Sequence, residues 1–308
     1  MSPSRMARSS KRKTQKKPAV LEEADLLAGS MAIMNDMRRR KTLCDVILVV
    51  QEREIAAHGV VLAAASPVFN VMFTTDMLES TPFEVELKDA DPDIIEQLVE
   101  FTYTARVSVN SNNVQSLLDA ANQYQLQPVK LMCVDFLKEQ VDPSNCLGLS
   151  ILAERLDCPE LKAAADAFIH QHFTDVYKTE EFLQLDAQRV TQLLHQDALT
   201  VRAEEQVYDA ALRWLRHDAQ NRKPFIVDVL TQVRFPLLSK YFLSKTVTSE
   251  PLIQDNPECL KMVISGMRYH LLSPEDQKEP AHGTRPRRLQ SYSYFNPKLG
   301  KGAYSTRS

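Results

Sequence analysis

The sequence predicts an α+β domain followed by an all-α domain of stacked helix pairs. Two observations indicate this order. Short β-branched or alternating apolar runs, which are typical of strands, end before about residue 110. After Asp142-Pro143-Ser144, apolar residues recur at helical spacing in one segment after another, with short breaks between them. The chain has 308 residues, 44% of them hydrophobic and 25% charged, so each of two domains can bury a core of its own.

The first element is a helix that follows a basic tail. Residues 1–20 are polar and basic, which predicts a disordered tail and leaves a nuclear-import signal as an alternative. From residue 21 to 40, Leu27, Met31 and Met34 recur at i, i+4 and i+7 and give the helix one apolar face. This face needs a surface to cover, and either a second subunit or the helix's own domain would supply one.

Strands follow this helix. Leu43–Val50 is a β-branched run that predicts a buried strand, Gln51–Glu54 is a turn, and Ile55–Ala57 begins a return strand. Phe83–Leu87 alternates strictly and predicts a half-buried strand. Val107 and Val109 predict one more short strand.

Helices occupy the rest of the first domain. A short helix from Val60 to Ala65 is followed by Ser66-Pro67, an N-cap with proline at the first helical position, which starts the next helix. Asp91-Pro92 repeats this signal. Two further helices are predicted over about residues 113–124 and 128–139.

The second domain is predicted over residues 141–273, with a final helix from about Pro257 to Leu272. Its clearest apolar helical face is formed by Val207, Tyr208, Ala211, Trp214 and Leu215. From residue 274 the chain is polar, and we expect a linker in which Arg285, Arg287 and Arg288 form a basic patch.

The composition favours a protein of the cytoplasm and nucleus. The net charge of −3 gives no general reason to expect nucleic acid or membrane as a partner. No apolar run reaches the roughly 18 to 20 residues of a membrane span, and the N-terminus lacks the apolar core of a signal peptide. The cysteines, which are odd in number and include no CxxC, indicate a reducing compartment. They are Cys44, Cys133, Cys146, Cys158 and Cys259.

No motif for catalysis, cofactor binding or metal binding is present. The sequence contains no GxxxxGK[ST], GxGxxG, GxSxG or HExxH. His170 and His172 are two residues apart, so on a helix they point in different directions and would not share a metal ion. We therefore expect a non-catalytic protein that needs no cofactor.

Three stretches together resemble the BTB–BACK module of the kelch-like family. The first is Leu43-Cys44-Asp45-Val46 with His58 and Val61–Phe69, which resembles the BTB pattern L-C-D-V…H…V-L-A-A-x-S-x-x-F. The second, Val201–Leu215, resembles the central BACK helix, and the third, Val233–Leu237, reads V-R-F-P-L as in BACK domains. The resemblance implies a BTB/POZ domain over residues 21–140 and a BACK domain over residues 141–273.

This resemblance implies an adaptor that binds cullin-3 in a RING ubiquitin ligase and forms a homodimer or a heterodimer with related BTB proteins. The cullin-binding motif, hydrophobic–any–Glu, is matched by Met77 and Glu79. Further cullin contacts are implied for Phe73, Tyr124, Asn145, Leu149 and Ile151. For all of these except Tyr124, packing in the protein's own core is left open as an alternative. Tyr124, between two glutamines, is expected at a wet interface edge. The implied dimer residues are Leu27, Met31, Met34, Asp45 and His58.

One residue departs from the family pattern. The family usually has Arg or Lys after the motif histidine, whereas this chain has Gly59. We therefore expect Asp45 to lack a charge partner, which is costly for a buried carboxylate, and the dimer to be weaker than in relatives unless water fills the gap.

The glycines bear on what the chain would recruit. None of the seven is adjacent to another, whereas kelch-like adaptors usually end in a β-propeller whose blades repeat a glycine doublet. We therefore expect a truncated adaptor with no β-propeller, which would compete with full-length relatives; its substrate protein is not named by the sequence. Two alternatives stay open: an adaptor that reads its substrate through the BACK domain or tail, and a BTB dimerisation scaffold or transcription regulator without ligase activity.

Overall fold

The computed structural model describes residues 24–76, 83–273 and 284–289. They divide into two compact units. The first unit comprises the residues up to Ser108 together with Gln123–Val129, and the second comprises Val109–Asn122 and the residues from Lys130 onward. The predicted order is confirmed, because all three strands of the larger sheet lie in the first unit and the second is built almost entirely of helices.

The first unit places a small sheet among helices. Its elements are α1 (Ala24–Arg39), β1 (Val46–Val50), β2 (Arg53–Ala57), α2 (Gly59–Ala65), α3 (Pro67–Asp76), β3 (Phe83–Glu86) and α4 (Pro92–Thr104). Helices α5 (Val114–Gln123) and α6 (Gln127–Glu139) follow along the chain.

Strand β1 is the centre of the three-stranded sheet. It pairs antiparallel with β2, where Val46 lies opposite Ala57, and parallel with β3, where Val46 lies opposite Phe83. Its alternate residues Val46, Leu48 and Val50 are fully buried, as the β-branched run predicts. The turn to β2 is shorter than expected and contains only residues 51 and 52.

The prediction of a strand at Val107 and Val109 is wrong for the single chain. Residues 106–110 follow α4 without joining either sheet. An alternating sequence becomes a strand only beside a second strand that supplies hydrogen bonds, and none of the described strands lies next to this segment.

The predicted helix starts are confirmed. The Asp91 side chain accepts a hydrogen bond from the backbone N–H of Asp93 at the start of α4. The Ser66 hydroxyl accepts one from the N–H of Phe69 at the start of α3, at 3.1 Å, and donates another to the backbone carbonyl of Tyr124 at 2.6 Å. Ser66 therefore both begins a helix and connects it to a distant part of the same unit.

The second unit is a set of helices around aromatic residues. The helices are α7 (Cys146–Arg155), α8 (Pro159–Gln171), α9 (Phe173–Val176), α10 (Glu180–Gln184), α11 (Ala187–His195), α12 (Glu205–His217), α13 (Ala219–Arg222), α14 (Ile226–Leu230), α15 (Lys240–Phe242), α16 (Pro251–Gln254) and α17 (Pro257–Tyr269). The strong apolar face of α12 is buried, and the Trp214 indole donates a hydrogen bond to the Leu185 carbonyl at 2.9 Å. In the described part of the chain, no helix combines the length and apolarity needed to cross a bilayer.

The second unit also contains a strand pair that the sequence does not predict. Two-residue strands β4 (Thr200–Val201) and β5 (Arg288–Leu289) pair in parallel. Residues 284–289, expected as part of a linker, therefore contact the second unit. The expected basic patch is also wrong for Arg287, whose side chain is fully buried, whereas Arg285 and Arg288 are exposed.

Candidate functional site

Helix α1 buries polar residues and exposes apolar ones. Asn35 and Arg38 are buried, whereas Leu26 and Ile33, seven residues apart and so on the same side of the helix, are 64% and 60% exposed. Of the three predicted dimer residues on this helix, Met31 and Met34 are half-buried, and the side chain of Leu27 lies outside what the structure describes. Leu26 and Ile33 were not singled out from the sequence, and a dimer contact by Leu27, Met31 and Met34 stays a prediction.

The buried side of α1 is fixed by one carboxylate of α4. Glu100 accepts hydrogen bonds from Asn35 at 2.8 Å and from Arg38 and Arg39, and the Arg38 guanidinium also lies 5.3 Å from the centre of the Tyr103 ring. Burial alone would raise the pKa of Glu100, but the Asn35 hydrogen bond and the two arginine charges outweigh it, and its pKa is lowered. This contact attaches the polar side of α1 to its own unit, while Leu26 and Ile33 stay exposed.

Asp45 has a backbone hydrogen-bond partner in place of the charge partner that the family pattern would supply. Its carboxylate accepts a hydrogen bond from the backbone N–H of Gly59 at 2.6 Å, at the first residue of α2. A negative charge at a helix N-terminus is favourable because the first N–H groups have no partner within the helix. A Cβ atom at Gly59 would lie 3.5 Å from both Asp45 oxygens, which is ordinary contact, and 3.0 Å from Val46 Cγ2, so the side chain of Val46 is what a larger residue would have to displace.

His58, the other predicted dimer residue of this region, is buried within its own unit. Its backbone N–H and its ring Nδ1 both lie 2.9 Å from the Tyr103 hydroxyl, and Nε2 lies 3.2 Å from the Thr42 carbonyl. Both ring nitrogens therefore have partners in the single chain. A dimer contact by His58 stays a prediction.

Phe73 and Tyr124 belong to one buried aromatic column. The rings of Phe73 and Phe69 stack with their centres 5.7 Å apart, and those of Phe69 and Tyr124 with their centres 5.0 Å apart. Phe73 and Tyr124 are each only 2% exposed. The expectation that Tyr124 lies at a wet edge is wrong, because stacking on Phe69 removes its ring from water. Contact of either residue with cullin-3 stays a prediction.

The predicted cullin motif itself, Met77 and Glu79, lies outside the described residues. On α3, which precedes it, Val71 is 62% exposed between the buried Phe69 and Phe73, and it was not singled out from the sequence. The spacing in the sequence could have indicated this exposure. Val71 is two positions from each of the buried residues, and two positions along a helix correspond to about half a turn.

In the second unit, Asn145 and Leu149 lie at the start of α7. The Asn145 side chain accepts a hydrogen bond from the Asp142 N–H at 2.9 Å and donates one to the Gln140 carbonyl at 2.8 Å, so it stabilises the turn before the helix. Leu149 is buried, and Ile151 is half-buried. All three have contacts within the single chain, and their predicted contact with cullin-3 stays a prediction.

Helix α7 is capped by a carboxylate from α10. Glu181 accepts hydrogen bonds from the N–H groups of Leu147 at 3.2 Å and Gly148 at 3.3 Å. Burial raises the pKa of Glu181 and outweighs the lowering effect of these two N–H groups. The Asn145 side chain, although placed at the cap position, makes no hydrogen bond to the helix N–H groups.

The described residues offer no arrangement for metal or thiol chemistry. Within residues 24–76, 83–273 and 284–289, no three His, Cys, Asp or Glu side chains meet where they could hold a metal ion. Burial raises the pKa of the Cys133 and Cys146 thiols to about 12, so they remain protonated at neutral pH and are poor nucleophiles.

Comparison with known proteins identifies the family. The BTB/POZ domain model matches residues 34–141, and the model "BTB And C-terminal Kelch" (BACK) matches residues 146–248. Human kelch-like protein 7 is 73% identical over 312 residues, which cover 97% of this chain and 53% of that protein. The chain is a BTB–BACK protein of the kelch-like family.

Other kelch-like proteins also match over most of this chain and about half or less of their own length. Chicken kelch-like protein 7 is 73% identical over 94% of this chain and 52% of its own length. Mouse kelch-like protein 17 is 44% identical over 83% of this chain and 40% of its own length. The chain thus spans about half the length of the curated relatives it matches. Among solved structures, the BTB domain of zebrafish PATZ1 is 26% identical, with a TM-score of 0.37, over 40% of this chain and 99% of that one.

Proposed function

We propose that this BTB–BACK chain is a non-catalytic adaptor, which dimerises through its first unit and binds cullin-3 in a RING ubiquitin ligase. The observation that carries the proposal is the 73% identity to kelch-like protein 7 over 97% of the chain. The adaptor supplies proximity: it raises the effective concentration of a bound protein near the ubiquitin-transferring partner, and the reaction belongs to that partner.

The exposed apolar side chains of α1 support dimerisation. Leu26 and Ile33 are large apolar side chains on one side of a helix whose other side is already held by Glu100. Burying such side chains contributes roughly 25 cal/mol per Å² of apolar surface, and a second copy of α1 would provide an apolar surface of the same kind.

For cullin-3 we propose the outer side of α3 and the residues that follow it. Val71 is exposed on this side, and the buried pair Phe73 and Tyr124 supports it from beneath through Phe69. Met77 and Glu79 would extend the contact along the chain. In this reading Phe73 and Tyr124 shape the binding surface rather than touch the partner, and Asn145 and Leu149 act in the same way for α7.

Light scattering coupled to size exclusion tests the proposal. The full chain is run alone and with the cullin-3 N-terminal domain, as wild type, Ile33→Asp, Val71→Asp, Glu79→Ala and the control Ile264→Asp. Ile264 is 49% exposed on α17 of the second unit, so its variant places the same charge on an apolar surface position that the proposal does not use. We expect a wild-type dimer that forms a 2:2 complex.

Each variant separates one part of the proposal. Ile33→Asp should give a monomer, Val71→Asp and Glu79→Ala should give dimers with at least tenfold weaker cullin-3 binding, and Ile264→Asp should behave as wild type. A dimer in which wild type shows no cullin-3 binding would contradict the ligase role and favour the scaffold alternative. A wild-type monomer would contradict the dimer.

A further inference from the structure

Arg287, near the end of the described chain, forms a buried ion pair inside the second unit. Arg287 Nε and Nη2 donate to the two carboxylate oxygens of Glu204 at 2.9 and 3.1 Å. Nη1 donates to the backbone carbonyl of Gln196 at 2.6 Å, and Nη2 also donates to the backbone carbonyl of Gln232 at 2.8 Å. The two charged side chains are 0% and 3% exposed, so water does not compete for these contacts.

The groups that surround Arg287 come from three separate connections. Gln196 follows α11, Glu204 precedes α12, and Gln232 follows α14. Glu204 is itself oriented by the backbone N–H of Arg234, which donates to it at 2.9 Å. The acceptors therefore belong to the helical framework of the second unit, and Arg287 is the only part of this arrangement contributed by residues 284–289.

Further contacts surround this central one. Arg234 donates to the Arg285 carbonyl, and Asp197 pairs with both Arg234 and Arg285, the latter at 3.3 Å. The Arg285 side chain is 83% exposed, so its ion pair adds little. Strands β4 and β5 contribute only two residues each. The Arg234 side chain is 10% exposed, whereas the side chains of Arg287 and Glu204 are 0% and 3% exposed.

We propose that the second unit carries a binding site for a guanidinium group. The site is formed by the Glu204 carboxylate and the backbone carbonyls of Gln196 and Gln232, and its ligand is the chain's own Arg287. Binding holds residues 284–289 on the second unit. The inference goes beyond the adaptor proposal and does not depend on cullin-3 binding or dimerisation.

The chemistry of the site selects arginine over lysine. A planar guanidinium can donate side by side to both oxygens of one carboxylate and still reach two carbonyls, whereas an ammonium has three donors at a single point. An unpaired Glu204 would remain buried with its charge uncompensated, which is strongly unfavourable. The neighbouring Arg288 is exposed and provides a matched control, because its removal deletes the same charge from the same segment.

Hydrogen exchange and thermal unfolding of the full chain test the anchoring. We compare wild type with Arg287→Ala, Arg287→Lys and Arg288→Ala. Arg287→Ala should lower the melting temperature of the second unit by about 10 °C and make the backbone amides of Arg285 and of residues 287–289 exchange at least tenfold faster. Arg287→Lys, which keeps the positive charge and a folded chain, should lose most of this protection, and Arg288→Ala should match wild type.

Chemical rescue tests whether the site itself recognises a guanidinium group. Ethylguanidine at millimolar concentration should raise the melting temperature of Arg287→Ala and leave Arg288→Ala unchanged, with ethylammonium as the control cation. The exchange of residues 285–289 in Arg287→Ala should stay fast, because the free cation fills the site without holding the chain. Unchanged exchange in both Arg287 variants would overturn the anchoring, and the absence of rescue, or equal rescue by ethylammonium, would overturn the guanidinium site.

Discussion

The guanidinium of Arg38 on α1 pairs with the carboxylate of Glu100 on α4, although the two residues are 62 positions apart in the sequence. The pair joins two helices of the first unit through a buried arginine, 7% exposed, and a carboxylate that is 29% exposed. Because this polar contact attaches α1 to its unit, the apolar Leu26 and Ile33 remain free to face outward. The same pair is the source of a pH-dependent contribution to stability.

Glu100→Gln should destabilise the first unit by about 2 kcal/mol at pH 7, because Arg38 stays buried and loses its negative partner. The pKa of Glu100 in the folded chain is lowered from its ordinary value of 4.5. The stability that Glu100 contributes is therefore fully present above the pKa of the unfolded chain and is lost as the pH falls through the pKa of the folded chain. The difference between wild type and variant, measured by urea unfolding, should therefore shrink below about pH 4.5.

Glu96→Gln is the control for this variant. Glu96 lies on the same helix but is 54% exposed, and its contact with Arg53 spans 3.3 Å at the surface. Its replacement should change the free energy of unfolding by less than about 0.5 kcal/mol. Equal effects of the two substitutions, or a Glu100 effect that grows as the pH is lowered, would contradict the assignment.

Asp45→Ala should destabilise the first unit by about 1 kcal/mol, since the N–H of Gly59 then loses its acceptor at the start of α2. Asp45→Asn keeps a side-chain oxygen that can accept the same hydrogen bond, and it should cost less than half as much. Chemical unfolding of both variants, at a concentration where the oligomeric state is known, gives the comparison. If Asn proves as harmful as Ala, the carboxylate acts by its charge rather than as a cap.

Local signals were read correctly from the sequence because their causes are local. The caps at Ser66 and Asp91 depend on a side chain and an N–H two or three residues away, and the buried strand depends on its own β-branched run. The order of an α+β unit before a helical one follows from these signals together with hydrophobic spacing.

Contacts between distant polar residues were missed because apolar periodicity carries no information about them. The burial of Asn35 and Arg38 on α1 depends on Glu100, and that of Arg287 on Glu204, 83 residues earlier. The same limit explains the wrong strand at Val107, whose alternation was correct but for which no described strand provides a partner.

Ala105→Gly should stabilise the first unit by about 0.5 to 1 kcal/mol. Ala105 ends α4 in the left-handed conformation, with φ of 52°, and its N–H donates to the Phe101 carbonyl. Glycine adopts this conformation without the steric cost that a Cβ atom imposes, although it gains some freedom in the unfolded chain. Ala32→Gly, at an exposed position inside α1 of the same unit, is the control and should destabilise by about 1 kcal/mol. A loss of stability in Ala105→Gly would show that the left-handed turn is not strained.

Tyr208→Phe should leave the second unit equally stable or make it more stable, by up to about 1 kcal/mol. Among the described residues, the Tyr208 hydroxyl is the one buried side-chain polar atom without a hydrogen-bond partner, and burial raises its pKa. Removing an unsatisfied hydroxyl avoids its desolvation cost and keeps the ring, which packs edge-on against Phe242 with the ring centres 5.3 Å apart.

Tyr103→Phe is the matched comparison for Tyr208→Phe, because it deletes the same atom where that atom is used. The Tyr103 hydroxyl accepts from the N–H of His58 and contacts its ring, so its loss leaves buried groups unsatisfied and should cost about 1 to 3 kcal/mol. Urea unfolding of both variants measures the contrast. If Tyr208→Phe costs as much as Tyr103→Phe, the Tyr208 hydroxyl has a partner in solution, and an ordered water that bridges it to the nearby Glu250 is the arrangement to look for.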